Sequence, residues 1–280
     1  MSIAGRRARH ALGWGLATGL LLTVMPIVPQ AAQAAGSITA SRDANAVTSA
    51  LTMTSGVVTS AAFDAIPPSG NPAAVSTQPL TAFPSDSSSY AILSTGDATQ
   101  AGVNDQSQFT SVSDGGGNLR GNTDYDATVL KIGLNVPGTA NCLQFDFQFL
   151  SEEFPEFKGS AYNDAFIAEL DSSNWTTSGS NITAANNFAF DEDGNEISIN
   201  SLGETRVTAG QAAGTIYDGG TFPLVASKSV TPALTPSICP SSTRGIRSTT
   251  PRCSSTVSGS VTRVPAAAGA EPGGRSADSP

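Results

Sequence analysis

Apolar residues recur at every second position from Leu143 through Phe145 and Phe147 to Phe149, with Gln144, Asp146 and Gln148 between them. Successive side chains of a strand point to opposite faces, so this pattern predicts a strand with an aromatic inner face and a polar outer face. Burial of its three phenyl rings contributes roughly 1.5–3 kcal/mol each. Further strands are predicted over Asp126–Val136, closed by Pro137 and Gly138, and over Tyr90–Ala98, where a turn follows. Asn186–Asn200 reads as a hairpin: Phe188 and Phe190 lead in, and Ile197 and Ile199 lead out. Its acidic loop, Asp191–Glu196, has a faint likeness to a calcium loop but lacks EF-hand spacing, and its Asp-Gly and Gly-Asn pairs are ordinary turn chemistry. Ala46–Thr59 fits either a short helix or a strand. Ile66–Ser87 reads as a Pro/Ser-rich connection and Ala101–Asn122 as a polar, Gly-rich loop. Short alternating runs between turn-forming clusters, with no long run of helix formers, predict an all-β fold, a β-sandwich of jelly-roll type.

The two ends of the chain break this pattern. Arg6, Arg7 and Arg9 precede an apolar run from Ala11 to Val28, and Ala32-Gln33-Ala34 follows it. This is the form of a secretory signal peptide over residues 1–34, with a mature chain from Ala35. The paired arginines also admit twin-arginine export, and the apolar run an uncleaved anchor, but the run contains Gly and Pro and is short for a span of ~20 residues. No later segment reads as membrane-spanning. Residues 35–230 are the predicted sandwich domain, long enough to bury a core as one unit. After Phe222 there is no Phe, Tyr or Trp. Residues 231–280 read as a disordered, low-complexity tail whose Arg244, Arg247, Arg252, Arg263 and Arg275 contrast with an acidic body.

That tail has a second reading. Ser241-Ser242-Thr243-Arg244-Gly245 can be encoded TCT TCG ACC AGG GGG, and the neighbouring frame then reads IFDQG. Extended over Thr231–Thr256, that frame can read HSLYLSIFDQGDPIYDSAVFLDRLRL, two alternating strands joined by an acidic linker. One base lost near Pro232–Leu234 would give the tail as an out-of-frame product and leave the closing strands of the sandwich untranslated. On this reading Cys239 and Cys253 carry no meaning and Cys142 is a lone thiol. On the literal reading the three cysteines of a secreted chain give one disulfide and a spare thiol.

Charge and histidine content narrow the chemistry. Residues 35–230 carry 21 acidic side chains against six basic ones: Arg42, Arg120, Lys131, Lys158, Arg206 and Lys228. Such a surface repels nucleic acid and anionic lipid and attracts cations. The only histidine, His10, lies in the leader, so a mature chain from Ala35 has none. This excludes a Ser-His-Asp triad, a Cys-His dyad and a His-ligated metal.

The acids are not spread evenly. Glu152, Glu153, Glu156 and Asp164 fall in the link between two apolar strands, with Lys158 as the only base there. Continued alternation puts Tyr162, Asp164, Phe166, Ala168 and Leu170 on one face, and Asn163, Ala165, Ile167 and Glu169 on the other, so Asp164 begins on an apolar face. A buried carboxylate is costly unless it is paired, hydrogen-bonded or metal-bound. Calcium prefers hard oxygen ligands, and Glu152, Glu153, Asn163 and Asp164 are the candidate Ca²⁺ ligands. The plainer alternative has the glutamates capping turns or facing water and Asp164 accepting backbone N–H groups. Paired carboxylates could also hydrolyse glycosides across a cleft, although adjacent Glu152 and Glu153 point to opposite faces of a strand. Trp175, alone in the mature chain, sits in what reads as an exposed hairpin or loop with rim packing, thin support for a sugar platform.

The run NCLQFDFQFLSEEFPEFKGSAYNDAFIAEL, from Asn141 to Leu170, resembles the signature of the choice-of-anchor L domain, a bacterial extracellular β-sandwich family. The matching pieces are Phe145-Asp146-Phe147, Ser151-Glu152-Glu153-Phe154-Pro155-Glu156, Tyr162-Asn163-Asp164 and Ala165–Leu170, with GGGNLRGNTDYDATVLKI upstream. The resemblance covers roughly residues 46–230, and the alternative frame is similar to the closing strands of the family. It implies location and fold, a secreted or cell-surface β-sandwich. The leading functional reading is a non-enzymatic module for adhesion or surface display, stabilised by Ca²⁺ on the calcium reading, with cell-surface glycans or proteins as partners and, from the acidic surface, no nucleic acid. A lectin-like carbohydrate binder and a carboxylate-dependent glycoside hydrolase are the alternatives.

Overall fold

The computed structural model describes residues 36–52, 56–84, 87–107, 119–121, 126–138, 140–202 and 206–230. The signal peptide and the tail predicted from the sequence lie outside the described residues. Strands dominate: β1 (Ile38–Ala40), β2 (Val58–Ala65), β3 (Ala73–Ser76), β4 (Tyr90–Leu93), β5 (Val129–Leu134), β6 (Cys142–Phe147), β7 (Leu150–Ser151), β8 (Ala165–Phe166), β9 (Thr176–Ser178), β10 (Asn181–Thr183), β11 (Ile197–Ser198), β12 (Gly219–Gly220) and β13 (Leu224–Ser229). The fold is all-β, as the alternation predicts. Among the described residues these strands pair with one another antiparallel, and Gly121 adds a single parallel bridge to Thr177 of β9. The order β1-β3-β4 forms one sheet, and the remaining strands form two-stranded ladders: β2 with β5, β6 with β13, β7 with β12, β8 with β11 and β9 with β10.

The ambiguity over Ala46–Thr59 resolves into both elements. A helix, α1 (Ala44–Leu51), comes first and β2 follows. Asp43 fixes the start, its carboxylate accepting the backbone N–H of Asn45 at 2.9 Å. Val47 and Leu51, four apart, turn one face of α1 into the core. No helix among the described residues is long and apolar enough to cross a membrane.

The aromatic strand lies where its period predicts. Phe147 and Phe149 are buried in a cluster with Phe188, Ile197, Ile199, Leu202 and Leu224, and Leu143 and Phe145 pack against it. Phe166, Ala168 and Leu170 meet the same cluster, whereas Ile167 packs beside Trp175, so the predicted alternation of that segment holds as well. Cys142, the first residue of β6, is disulfide-bonded, as on the literal reading of the three cysteines, which corrects the expectation of a lone thiol there.

Four expectations change. The connection 66–87 contains β3, whose Ala73, Ala74 and Ser76 are fully buried between β1 and β4. Its small residues gave no aromatic or alternating signal. Gln148 does not share an outer face with Gln144 and Asp146: the ladder stops at Phe147, and Gln148 turns inward with no exposed surface. The turn at Asp191–Glu196 closes as a plain turn, Asp191 N–H donating to the Asn195 carbonyl at 3.0 Å, but the returning Ile197 and Ser198 pair with β8. Finally, Trp175 is buried against Ala127 and Ala184, with the Arg120 guanidinium 4.9 Å from its ring, so the expected exposed loop is a hairpin with a buried base.

Candidate functional site

Ser151 is the pivot of the acidic link. Its hydroxyl donates to Asp164 Oδ2 at 2.6 Å and accepts the backbone N–H of Glu153 at 3.0 Å. Glu153 reaches across, its Oε2 accepting the backbone N–H of Asp164 at 3.0 Å. The Asp164 carbonyl accepts the N–H of Ile199 at 3.0 Å, which ties the junction to β11. One hydroxyl and one carboxylate therefore lock together the two ends of a link that doubles back. Hydrogen bonds to a charged acceptor are shorter and stronger than neutral ones, which suits a 2.6 Å O–H···O contact.

Between those ends the chain is tightly wound. The Phe154–Pro155 peptide is cis. Phe157 N–H donates to the Glu153 carbonyl and Ser160 N–H to the Phe157 carbonyl, while the Phe157 and Tyr162 rings meet edge-on at 5.1 Å. Asn200 staples the link from outside: its Oδ1 accepts Gly159 N–H and its Nδ2 donates to the Ser160 carbonyl at 3.1 Å. Asn163 completes the staple, its Oδ1 accepting Asn200 N–H at 2.9 Å and its Nδ2 donating to the Ser180 carbonyl at 2.7 Å.

All four residues singled out from the sequence are inside the protein. Relative exposure is 4% for Glu152, 9% for Glu153, 3% for Asn163 and 0% for Asp164. Glu156 is exposed. Glu153 and Asp164 are joined through Ser151. The Asn163 amide is engaged by the turns at Ser180 and Asn200. Among the described residues, no three Asp, Glu, Cys or His side chains stand close enough to form a metal site by themselves.

A further acid approaches from β12. Asp218 donates its backbone N–H to the Ser151 carbonyl at 3.1 Å. Burial, reinforced by the negative charges of Glu156 and Glu152, pushes its carboxyl up to about 6. The next residue must be glycine: a Cβ on Gly219 would lie 2.5 Å from the ring of Phe154, so the aromatic residue of the acidic link packs directly on bare backbone. Sequence reasoning missed Ser151, Asn200 and Asp218. Ser151 was within reach, since a hydroxyl preceding two glutamates can cap the turn they open. Asn200 and Asp218 lie far along the chain and give no local sign of meeting the link.

The family model of the choice-of-anchor L domain matches residues 39–238. The chain belongs to that family. No curated protein and no solved structure matches it. Choice-of-anchor L domains are bacterial modules of the surface or secreted type, which fits the compartment expected from the leader.

In this choice-of-anchor L domain the raised Asp218 has a consequence for pH. Its folded pKa lies above the ordinary carboxylate value, so the folded state holds the proton more tightly than the unfolded one. Stability is gained as pH falls from about 6 towards about 4 and lost as pH rises through that window. Because Asp218 is only half-buried, solvent screening limits the effect to about 1 kcal/mol. Asp218→Asn is expected to raise the melting temperature at neutral pH and to flatten its pH dependence between 4 and 6, by calorimetry across that range. An unchanged pH profile in the variant would assign the titration elsewhere.

The second acidic stretch of the domain has a different character. Burial alone would raise the Asp191 carboxyl. Hydrogen bonds from the Asn195 side chain and from the backbone of Asn195 and Asp193, together with Arg206, outweigh burial and hold it below the usual range. Arg206 also pairs with Asp193 and with Glu192, the latter at 3.3 Å. These acids are committed to closing a turn.

Proposed function

We propose that this choice-of-anchor L domain is a non-enzymatic module for adhesion or surface display, and that Ca²⁺ stabilises its acidic junction. The observation that carries the calcium reading is the burial of three carboxylates, Glu152, Glu153 and Asp164, at one strand junction. Buried carboxylates are retained when hydrogen bonds or cations offset their lost hydration. Calcium takes six to eight oxygens in flexible geometry, so it accepts a mixed set. The candidate oxygens are those of the Glu152, Glu153 and Asp164 carboxylates and Asn163 Oδ1, which do not stand as a ready-made site and would be drawn together by the ion. Membership in a family of surface or secreted modules supports the display role, and cell-surface glycans or proteins are the partners that fit it.

The test is a melting curve in chelator and in Ca²⁺. A site with a dissociation constant near 10 µM would, at about 1 mM Ca²⁺, add about 2.7 kcal/mol. For a domain of this size that is roughly a 5–10 °C rise. The rise is expected to disappear in Glu152→Gln and to be smaller with Mg²⁺, which demands near-ideal octahedral geometry and gives up its waters reluctantly. Equal melting temperatures in chelator and Ca²⁺ would remove the calcium reading and leave the display role standing. Trp175 is 5% exposed and offers no stacking face to a sugar, so a glycan array is expected to show no binding that depends on Trp175.

A further inference from the structure

We infer that the disulfide at Cys142 is a redox clasp for the last strand: closed, it holds the C-terminal end of β13 on β6, and a dithiol releases that end. Cys142 is buried, opens β6 and lies opposite Ser229, the final residue of β13. The backbone contact runs one residue further, Val230 N–H donating to the Asn141 carbonyl at 3.0 Å. The covalent tie therefore sits at the end of the ladder from which the chain departs. Its partner is Cys239 or Cys253, because the chain has three cysteines in all. Both follow Ser229 in sequence, so the bond joins the start of β6 to the segment after β13.

The two halves of β13 are held differently. Leu224 and Ala226 are buried in the cluster that contains Phe147, so the first half is anchored by packing. Ser227, Lys228 and Ser229 are exposed and carry no apolar side chain into the core. Their hold on β6 is the ladder, Ser227 against Gln144, Lys228 against Leu143 and Ser229 against Cys142. A backbone hydrogen bond contributes little net once water competes for it, so a ladder end without buried side chains frays first. The clasp is placed where packing runs out. Loss of this end reaches inward, because Leu143 and Phe145 of β6 pack against both the Phe147 cluster and the group around Val47 and Leu51. The chemistry is thiol–disulfide exchange. A dithiol reduces the bond, Cys142 and its partner each gain a proton and become thiols, and the reagent is oxidised to its own disulfide. A reducing cytoplasm keeps such a bond open and an oxidising exterior closes it. The end of β13 is thus fixed only after delivery, which suits a family of surface or secreted modules.

The test compares the full chain before and after dithiothreitol. A peptide map without reductant is expected to join Cys142 to Cys239 or Cys253, and the denatured, unreduced chain to titrate as one thiol; a free Cys142 overturns the inference. On reduction, amides of Ser227–Ser229 should exchange at least about tenfold faster while those of β3 and β4 stay unchanged. The bond closes a loop on the order of 100 residues, so the melting temperature should also fall by roughly 10 °C. Cys142→Ser is expected to match the reduced chain and to ignore the dithiol. Of Cys239→Ser and Cys253→Ser, one should match it and the other should behave as wild type. A lower melting temperature with unchanged exchange at Ser227–Ser229 would make the bond a restraint on the unfolded chain alone and overturn the clasp. Equal acceleration in every strand, or a reduced chain that unfolds throughout, would overturn the local release.

Discussion

Replacing Phe147 by alanine is expected to lower the unfolding free energy by about 3–5 kcal/mol. The ring is 1% exposed and sits in the largest aromatic group among the described residues, 4.7 Å from Phe166 and 5.9 Å from Phe145. Truncation removes its transfer energy and leaves a hole lined by rings whose strands are pinned by the register of β6 against β13. The site therefore collapses poorly, and the cost falls at the upper end for its size. Phe222→Ala is the control, because that ring is 56% exposed and its loss should change stability by no more than about 0.5 kcal/mol. Urea denaturation of the three proteins measures both values, with a common slope as the sign that only stability has moved. A Phe147→Ala cost below about 1.5 kcal/mol would mean that β6 is not the spine of this core.

Gln148→Ala should cost about 2–4 kcal/mol, for a different reason. The side chain is entirely buried. Its Nε2 donates to the Thr221 carbonyl at 2.8 Å, and its Oε1 accepts the Thr81 hydroxyl at 3.0 Å. It thereby joins three segments that are remote in sequence. Without it, the buried Thr221 carbonyl and the half-buried Thr81 hydroxyl lose these hydrogen bonds, and a polar group left unpaired in the interior costs about 1–3 kcal/mol. Gln148→Leu separates the contributions, since it keeps most of the volume but none of the polarity. If the polar bridge matters more than the volume, the two variants will be destabilised alike. If leucine restores wild-type stability, the bridge contributes nothing net.

Residues 147 and 148 also show where local pattern stops being informative. The period-two run of phenylalanines exposed β6 and its inward face directly, because burial on one side of a strand leaves a mark on every second residue. The same rule sent Gln148 outward, since nothing in the local run marks the point where the ladder ends and both neighbours turn in. β3 was hidden for a related reason: Ala73, Ala74 and Ser76 are buried by β1 and β4, so small residues suffice and no large apolar side chain marks them. Trp175 was misplaced because Arg120 and Ala127, which cover it, arrive from a distant segment. At the acidic link the carboxylates were conspicuous for their charge, and the burial of Asp164 followed from the alternation through Phe166 and Leu170, whereas that of Glu152 and Glu153 had no local sign. The hydroxyl of Ser151 and the amide of Asn200, which organise them, carry no charge and draw no notice in a sequence rich in Ser and Asn.

The pairing of β6 with β13 has a bearing on how the polypeptide is made. Leu224 lies opposite Phe147, so roughly eighty residues must be synthesised after the aromatic strand before its partner exists. During that interval a row of phenyl rings is bare in whatever compartment receives the growing or threading chain. Assembly is then paced by the last strand to arrive, and the nascent protein depends on a holding factor or on rapid delivery to avoid sticking to its own copies. Overproduction should therefore yield inclusion bodies more readily than the melting temperature of the finished domain would imply.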